Sequence, residues 1–305
     1  ENGEALRASS IVTSNFLKNI STKNNLDHTP TWPTKTRLLL VEDNLINQEV
    51  ALGILEDIDL QADTAINGIE ALDSLKNTTP DQPYTLILMD CQMAQMDGYE
   101  TSRRIRSGQA GPHYTDIPII AMTANAMQGD KEKCLDAGMS DYLSKPINPQ
   151  HLSEKLVSWL LEKNTVTPLN NKSPSNEIEK TEYSATDESK LIWDHDSALK
   201  RMRGRKDRLL KIIDLFIADM PDRIEVLKKA QLSNDKNEIQ LIAHTIKGVA
   251  ANLDGNILLL TANELETFIK QNDNYDSAQL SPLITKVITA YDDFYSLLTE
   301  YTTKA

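Results

Sequence analysis

Apolar residues follow two different spacings along this chain, and the change from one to the other divides it. Short apolar runs at Arg37–Val41, Leu60–Ala65, Tyr84–Met89, Ile117–Met122 and Ser140–Leu143 are each bounded by turn residues, the pattern of buried strands. Segments with helical periodicity follow them, ending with Pro149–Lys163. Strands that alternate with helices imply a parallel sheet covered on both faces. Beyond Ile192 no strand signal appears: 205–220, 221–233, 235–253, 256–271 and 278–300 carry apolar stripes at helical spacing, separated by short polar joints. That pattern predicts an up-down helical bundle.

Two polar segments flank the first unit. Residues 1–35 are irregular, run through Thr29-Pro30-Thr31-Trp32-Pro33-Thr34, and are expected to be a tail with one short helix near 11–20. Residues 164–189 are rich in Asn, Ser, Thr, Pro and Glu, cannot bury a core, and read as a linker. The expected organisation is a tail over 1–35, an α/β domain over 36–163, a linker over 164–189 and a helical domain over 190–305.

Composition narrows the function. A length of 305 residues suits two domains, and a start at Glu1 reads as a piece of a longer protein. No apolar run approaches the roughly 18–20 residues that span a bilayer, so no membrane contact by this piece is expected. A net charge of −13 argues against a nucleic-acid surface, which recruits basic patches. Cys91 and Cys134 form no Cys-x-x-Cys pair, which fits a reducing, cytoplasmic compartment.

Loops after parallel strands gather at one edge of the sheet, where open α/β folds place their sites. Here the first strand leads into Glu42-Asp43, the third ends at Asp90, the fourth at Thr123, and the fifth leads into Lys145-Pro146. Clustered carboxylates repel one another and call for a hard divalent cation such as Mg²⁺. A carboxylate beside that ion can attack phosphorus, while a lysine and a hydroxyl suit the three oxygens of a phosphoryl group. Taken singly, an Asp at a strand end is usually a helix cap, and a Lys before Pro is usually a surface residue. The combination on successive strands reverses that reading.

These residues sit in longer matching stretches: Leu40-Val41-Glu42-Asp43-Asn44, Asn67-Gly68-Ile69-Glu70-Ala71-Leu72, Met89-Asp90-Cys91-Gln92-Met93-Ala94-Gln95-Met96-Asp97-Gly98, Ala121-Met122-Thr123-Ala124 and Ser144-Lys145-Pro146. Residues 36–163 thereby resemble a response-regulator receiver domain. The resemblance implies a flavodoxin-like sheet of order 2-1-3-4-5 with Asp90 as phosphoacceptor. It further implies Mg²⁺ held by Asp43, Asp90 and the backbone carbonyl of Gln92, with Glu42 acting through water. Thr123 and Lys145 would bind phosphoryl oxygens, and Tyr142 matches the aromatic switch position coupled to Thr123. Haloacid-dehalogenase-like phosphatases use the same nucleophile type, but Asp90 is followed by Cys91-Gln92 with no second acid two residues on. Cys91 alternates to the other face and reads as packing.

Of the five histidines, His28, His113, His151 and His195 lie in linkers or helix ends without metal-ligand spacing. His244 differs. At about 100° per residue, Ile239, Ile242, Ile246, Val249, Ala250 and Leu253 form one stripe facing the bundle core, and His244 points almost opposite, so it is expected to be exposed. Lys247, Gly248 and Ala251 share its face, with Leu241 beside them. A mid-helix glycine costs about 1 kcal/mol against alanine, and clearance for a partner domain is the expected return; a surface histidine beside an accidental glycine is the bland alternative. Lys247 is expected to screen a phosphoryl group on the ring.

The stretch Ala243-His244-Thr245-Ile246-Lys247-Gly248 resembles the histidine-phosphotransfer (HPt) signature, with Trp193-Asp194, Ala198-Leu199 and Arg201 before it and Ala262-Asn263-Glu264-Leu265-Glu266 after it. This resemblance implies an all-α four-helix bundle with His244 as phosphohistidine and Leu241, Lys247, Gly248 and Ala251 as docking surface. The basic run Lys200–Lys211 is either a docking face for an acidic receiver or merely solvated. Receiver plus HPt looks like the C-terminal portion of a tripartite hybrid sensor histidine kinase. That implies a kinase core in the same parent chain, a membrane-anchored parent, and a separate response regulator downstream. No ATP-binding loop or box is visible, so the fragment is not expected to phosphorylate itself from ATP. Two alternatives stand beside the relay: a phosphorylation-controlled binding switch, and a phosphate sink draining His244 through Asp90.

Overall fold

The computed structural model describes residues 30–123, 128–161, 191–272 and 275–304. The expected tail helix near 11–20 and the linker over 164–189 lie outside the described residues.

Strands β1 (Leu38–Val41), β2 (Ala62–Ala65), β3 (Leu86–Asp90), β4 (Ile119–Thr123) and β5 (Asp141–Ser144) form one parallel sheet in the order β2-β1-β3-β4-β5, as expected. The hydrogen-bonded ladder begins later than several apolar runs did, because Leu60, Tyr84 and Ile117 are buried ahead of their strands without joining them. The two-residue period of a strand sends Leu39, Val41, Ile87, Met89, Ile119 and Ala121 to one face, packed against Ala71, Leu72, Ile105 and Cys134. Those residues come from α2 (Gly68–Lys76), α3 (Gly98–Arg106) and α4 (Gln128–Asp136). Leu38, Leu40, Leu86, Leu88, Ile120 and Met122 meet the opposite layer, built from α1 (Leu45–Glu56) and α5 (Pro149–Leu161).

Side-chain caps hold the loops at the C-terminal edge of this sheet. Asn44 accepts from the N–H groups of Ile46 and Asn47, Asn67 from Glu70, and Asp97 from Glu100. Each satisfies donors that a helix start leaves unpaired. The edge where the acids gather is thereby rigid at three helix starts.

The helical part opens with a short α6 (His195–Arg201), capped by Asp194. Four long helices follow: α7 (Lys206–Ser233), α8 (Lys236–Asn252), α9 (Asn256–Gln271) and α10 (Ser277–Lys304). They make the expected four-helix bundle, with one correction. The segments 205–220 and 221–233 are not two helices but the single α7, which runs through Pro221. A proline inside a helix costs about 3 kcal/mol. Met220 and Ile224, on either side of it, are both buried, and burying two such side chains contributes about 1.5–3 kcal/mol each, enough to offset that cost. The Trp193 indole donates to the Leu253 carbonyl at 2.9 Å and ties the entry of the bundle to the end of α8.

The two parts touch. The apolar layer of α1 and α5 continues without a break into the bundle core, and α1 lies against α7 and α8. Among the described residues, no helix is long and apolar enough to cross a membrane.

Candidate functional site

The acids at the ends of β1 and β3 converge as the sequence predicted. Carboxylate oxygens of Glu42, Asp43 and Asp90 lie within 4.8 Å of one another. Lys145 Nζ sits 2.6 Å from Glu42 Oε2 and 2.8 Å from Asp90 Oδ2. Its backbone N–H donates to the Thr123 carbonyl at 2.7 Å, so the end of β4 positions the lysine. The second Glu42 oxygen accepts from Asn47 Nδ2 at 2.8 Å. Backbone N–H groups complete the pocket: Ala94 donates to Asp43 and Gln92 to Asp90 Oδ1. The loop beyond Asp90 folds back tightly, because a Cβ at Gly98 would lie 2.1 Å from the Asp90 carbonyl oxygen. Only glycine fits there.

Burial, and then the neighbouring Glu42, push the Asp90 carboxyl up to about 8. Burial and Glu42 raise Asp43 as well. For Lys145, burial works against the charge, but Asp90 and Glu42 outweigh it and hold the ammonium above its ordinary range. Three acids against one ammonium leave an excess of negative charge that a hard, oxygen-seeking divalent cation neutralises. Thr123 is buried at its strand end. Tyr142 is half-buried on β5 opposite Ala121, its ring flanked by the ammonium groups of Lys131 and Lys155. Cys91 packs in the core with its Sγ 3.7 Å from that of Cys134.

His244 departs from expectation. The stripe from Ile239 to Leu253 is buried as the periodicity required, yet His244 is only 8% exposed. Two things cover it. One is Glu266 of α9, whose Oε1 lies 3.0 Å from His244 Nδ1. The other is the α/β part, whose α1 lies against α8 and whose Asn47 reaches Asn252. Burial is the first cause of a lowered imidazole pKa, Glu266 opposes it, and Lys145 and Lys247 reinforce it. The imidazole is therefore neutral at pH 7, and with Nδ1 engaged the Nε2 lone pair is the free nucleophile.

Lys247, expected to screen a phosphoryl group on the ring, shares a carboxylate with it. It pairs with Glu266, which Lys270 also contacts at 2.6 Å. Burial alone would raise the Glu266 carboxyl, but His244, Lys247 and Lys270 together hold it well below the usual range. Gly248 does face the other domain: a methyl group there would lie 3.5 Å from Asn47 Nδ2, ordinary contact. Alanine fits; a longer side chain would meet Asn47. Leu241 is half-buried and Ala251 buried on the same helix.

Asn47 and Asn252 escaped the sequence reading, and Glu266 entered it only as part of a matching stretch, with no role. Asn47 joins the pocket to the bundle, donating to Glu42 and accepting from Asn252 Nδ2 at 2.8 Å. Asn252 falls four residues beyond Gly248, on the same stripe, and that was the available signal. Glu266 interrupts a buried stripe of Leu258, Ala262, Leu265 and Ile269, an acid at a core position.

Comparison with known proteins decides what these parts are. Residues 38–157 match the response regulator receiver domain, and residues 211–294 match the Hpt domain. The chain is a receiver joined to an HPt domain. Relatives carrying both parts include the sensor histidine kinase GacS of Pseudomonas protegens, 30% identical over 81% of this chain and 26% of that protein. The signal transduction histidine-protein kinase BarA of Shigella flexneri is 31% identical over 69% of this chain and 21% of that protein. The chain thus spans about a quarter or less of the length of these hybrid sensor kinases. Among solved structures, the receiver domain of a Pseudomonas aeruginosa sensor histidine kinase, with magnesium coordinated in its active-site cleft, is 40% identical (TM-score 0.37; 42% of this chain, 98% of that one). A Saccharomyces cerevisiae complex of the histidine phosphotransfer protein Ypd1 with the receiver of Ssk1 is 33% identical (TM-score 0.39; 45% of this chain, 96% of that one). Receiver and HPt domains in hybrid kinase relatives place the chain in two-component phosphorelay signalling.

Proposed function

We propose that Asp90 accepts a phosphoryl group from a kinase histidine and that His244 takes it from Asp90 for delivery to the receiver of a separate response regulator. The observation that carries this reading is the contact joining the two sites: Asn47, which donates to Glu42 in the acidic pocket, accepts from Asn252 on the same helix as the neutral His244. In the first step an Asp90 carboxylate oxygen attacks phosphorus, the P–N bond of the donor phosphohistidine breaks, and an acyl phosphate forms. In the second, His244 Nε2 attacks phosphorus and the Asp90 carboxylate leaves.

The donor set fits Mg²⁺. Asp43, Asp90 and the Gln92 carbonyl would hold it; Glu42, with its oxygens engaged by Asn47 and Lys145, would act through water. When bound, the ion supplies charge neutralisation for the phosphoryl oxygens. Lys145 and Thr123 would take the remaining oxygen contacts, and Tyr142 would couple to Thr123 as the switch position. We assign 36–163 and 190–305 as the functional units, with 164–189 as tether and 1–35 as the entry from the parent chain. That parent is a hybrid kinase supplying the kinase core, anchored at the membrane with this C-terminal portion in the cytoplasm.

The test uses Phos-tag gels on the whole chain with Mg²⁺ and acetyl phosphate. Acid-labile, base-stable phosphate is expected in the wild type and absent in His244→Gln. Label confined to Asp90, with His244 unlabelled beside any receiver, would sink the relay and leave the binding switch.

Glu266 orients the imidazole and fixes its tautomer, so Glu266→Ala is expected to slow Asp90-to-His244 transfer by about 10–100-fold, the usual effect of removing an orienting partner. The same change removes the group that opposes the depression of the His244 pKa, so NMR titration should place it lower still. An unchanged rate and an unchanged titration would refute the role. In the wild type the sign is fixed by the direction of the shift. The folded pKa lies below the unfolded one, so the unfolded state binds the extra proton, and the stability contributed by neutral His244 is lost as pH falls through about 6.5.

A further inference from the structure

Basic residues at the start of α7 meet acids along α1. Arg208 donates to both carboxylate oxygens of Asp57, at 2.9 and 3.0 Å, and to Glu56 at 3.0 Å. Arg205 approaches the same two acids, Arg203 lies 3.5 Å from Asp57, and Lys211 pairs with Glu49 at 2.6 Å. Most of these pairs are exposed and contribute little. Arg208 is different: it is 6% exposed, a charge removed from water between the two domains. Its place is built on both sides. Gly53, in the middle of α1, leaves the space the guanidinium fills, and a Cβ there would lie 2.8 Å from Arg208 Nε. The fork of Arg208 matches the Asp57 carboxylate bidentately, which adds direction as well as strength.

We propose that Gly53, Glu56 and Asp57 form the address by which this HPt domain recognises the receiver of its own chain, with Arg208 as the reader, so that Asp90-to-His244 transfer runs within one molecule. This rests on the relay reading above. The clamp does not touch the reacting atoms; it sets the register in which Asn252 reaches Asn47 and α8, which carries His244, lies against α1. Arg208 and Asp57 are positioning residues.

The experiment follows label on Asp90 and on His244 separately, in the whole chain with Mg²⁺ and acetyl phosphate, over a hundredfold range of protein dilution. The half-time of transfer to His244 is expected to be independent of dilution. Arg208→Asp and Asp57→Arg are each expected to slow transfer by about 10-fold or more, as loss of one partner of a desolvated pair does, while Asp90 labels at the wild-type rate. The double exchange, Arg208→Asp with Asp57→Arg, is expected to restore most of the rate. Gly53→Leu, which changes no charge, should slow transfer in the same way. Single variants without effect, or a double exchange no faster than either single one, would overturn the address. A half-time that lengthens on dilution would overturn transfer within one chain and assign it to a second copy. Wild-type chain labelled on Asp90 but never on His244 would instead overturn the relay itself, and this inference with it. Arg208 makes its ion pairs with the other domain, so thermal melts should show the HPt fold intact in its variants.

Discussion

A chain with Asn at position 90 is expected to take up no phosphate from acetyl phosphate and to leave His244 unlabelled. The amide keeps the shape of the carboxyl but has no charged oxygen with which to attack phosphorus. His244 is expected to fall silent only because its donor is gone. Supplying a separate phosphorylated receiver in excess should then restore label on His244, and failure to do so would mean that Asp90→Asn had damaged the HPt domain. The same variant carries a second expected result. Burial and Glu42 raise the folded Asp90 pKa to about 8, while the unfolded group titrates near 3.9. Between roughly pH 4 and pH 8 the folded state holds a proton that the unfolded state has released, so metal-free stability falls as pH rises. Asp90→Asn removes that slope. In EDTA at pH 8 the variant should melt above the wild type, and an identical pH profile for both would show that the pocket does not strain the carboxylate.

The second large effect belongs to Lys145. Its ammonium neutralises Glu42 and Asp90 at 2.6 and 2.8 Å, with its side chain 8% exposed. Removing one partner of a buried ionic group costs about 3–5 kcal/mol, because the other is left uncompensated. Lys145→Met in the absence of Mg²⁺ should approach that loss in urea denaturation at pH 8. At pH 5 the loss should be markedly smaller, since a carboxyl without its ammonium takes up a proton instead. Transfer to His244 should fall by about 10²-fold, the scale of a lost charge donor at a transition state. Equal destabilisation at both pH values would contradict the electrostatic account of the pocket.

Much of this was legible in the chain itself. The unbroken apolar runs Leu38–Val41 and Leu86–Met89, and the turn residues around them, report strands buried on both faces of a sheet whether or not the partner strands are known. The pocket was legible for a related reason: parallel strands bring their following loops to one edge, so Glu42, Asp43, Asp90 and Lys145 could be placed together without coordinates. What remained hidden depended on neighbours that sequence spacing does not encode. Helical phase set His244 off the apolar stripe and so predicted exposure, but it said nothing of Glu266 on the next helix or of the receiver packed against α8. The joint placed between 220 and 221 is absent because Pro221 is carried inside α7 by the burial of Met220 and Ile224, which other helices supply. The basic run Lys200–Lys211 could not be told from a solvated face until Gly53 and Asp57 were found opposite Arg208.

The burial of His244 at 8% exposure has a kinetic side. While the two domains are closed on each other, neither Asp90 nor His244 is open to any third protein. Each delivery therefore needs a closing and then a parting, and the traffic through the chain is capped by how long the closed state lasts. A stronger clamp would quicken the hand-over and lengthen the wait that follows. Differences in the strength of such contacts are expressed mostly in how fast they part. The fastest relay is then the one whose clamp is of middling strength, and mutations that tighten α1 on α7 should slow signalling as surely as those that loosen it.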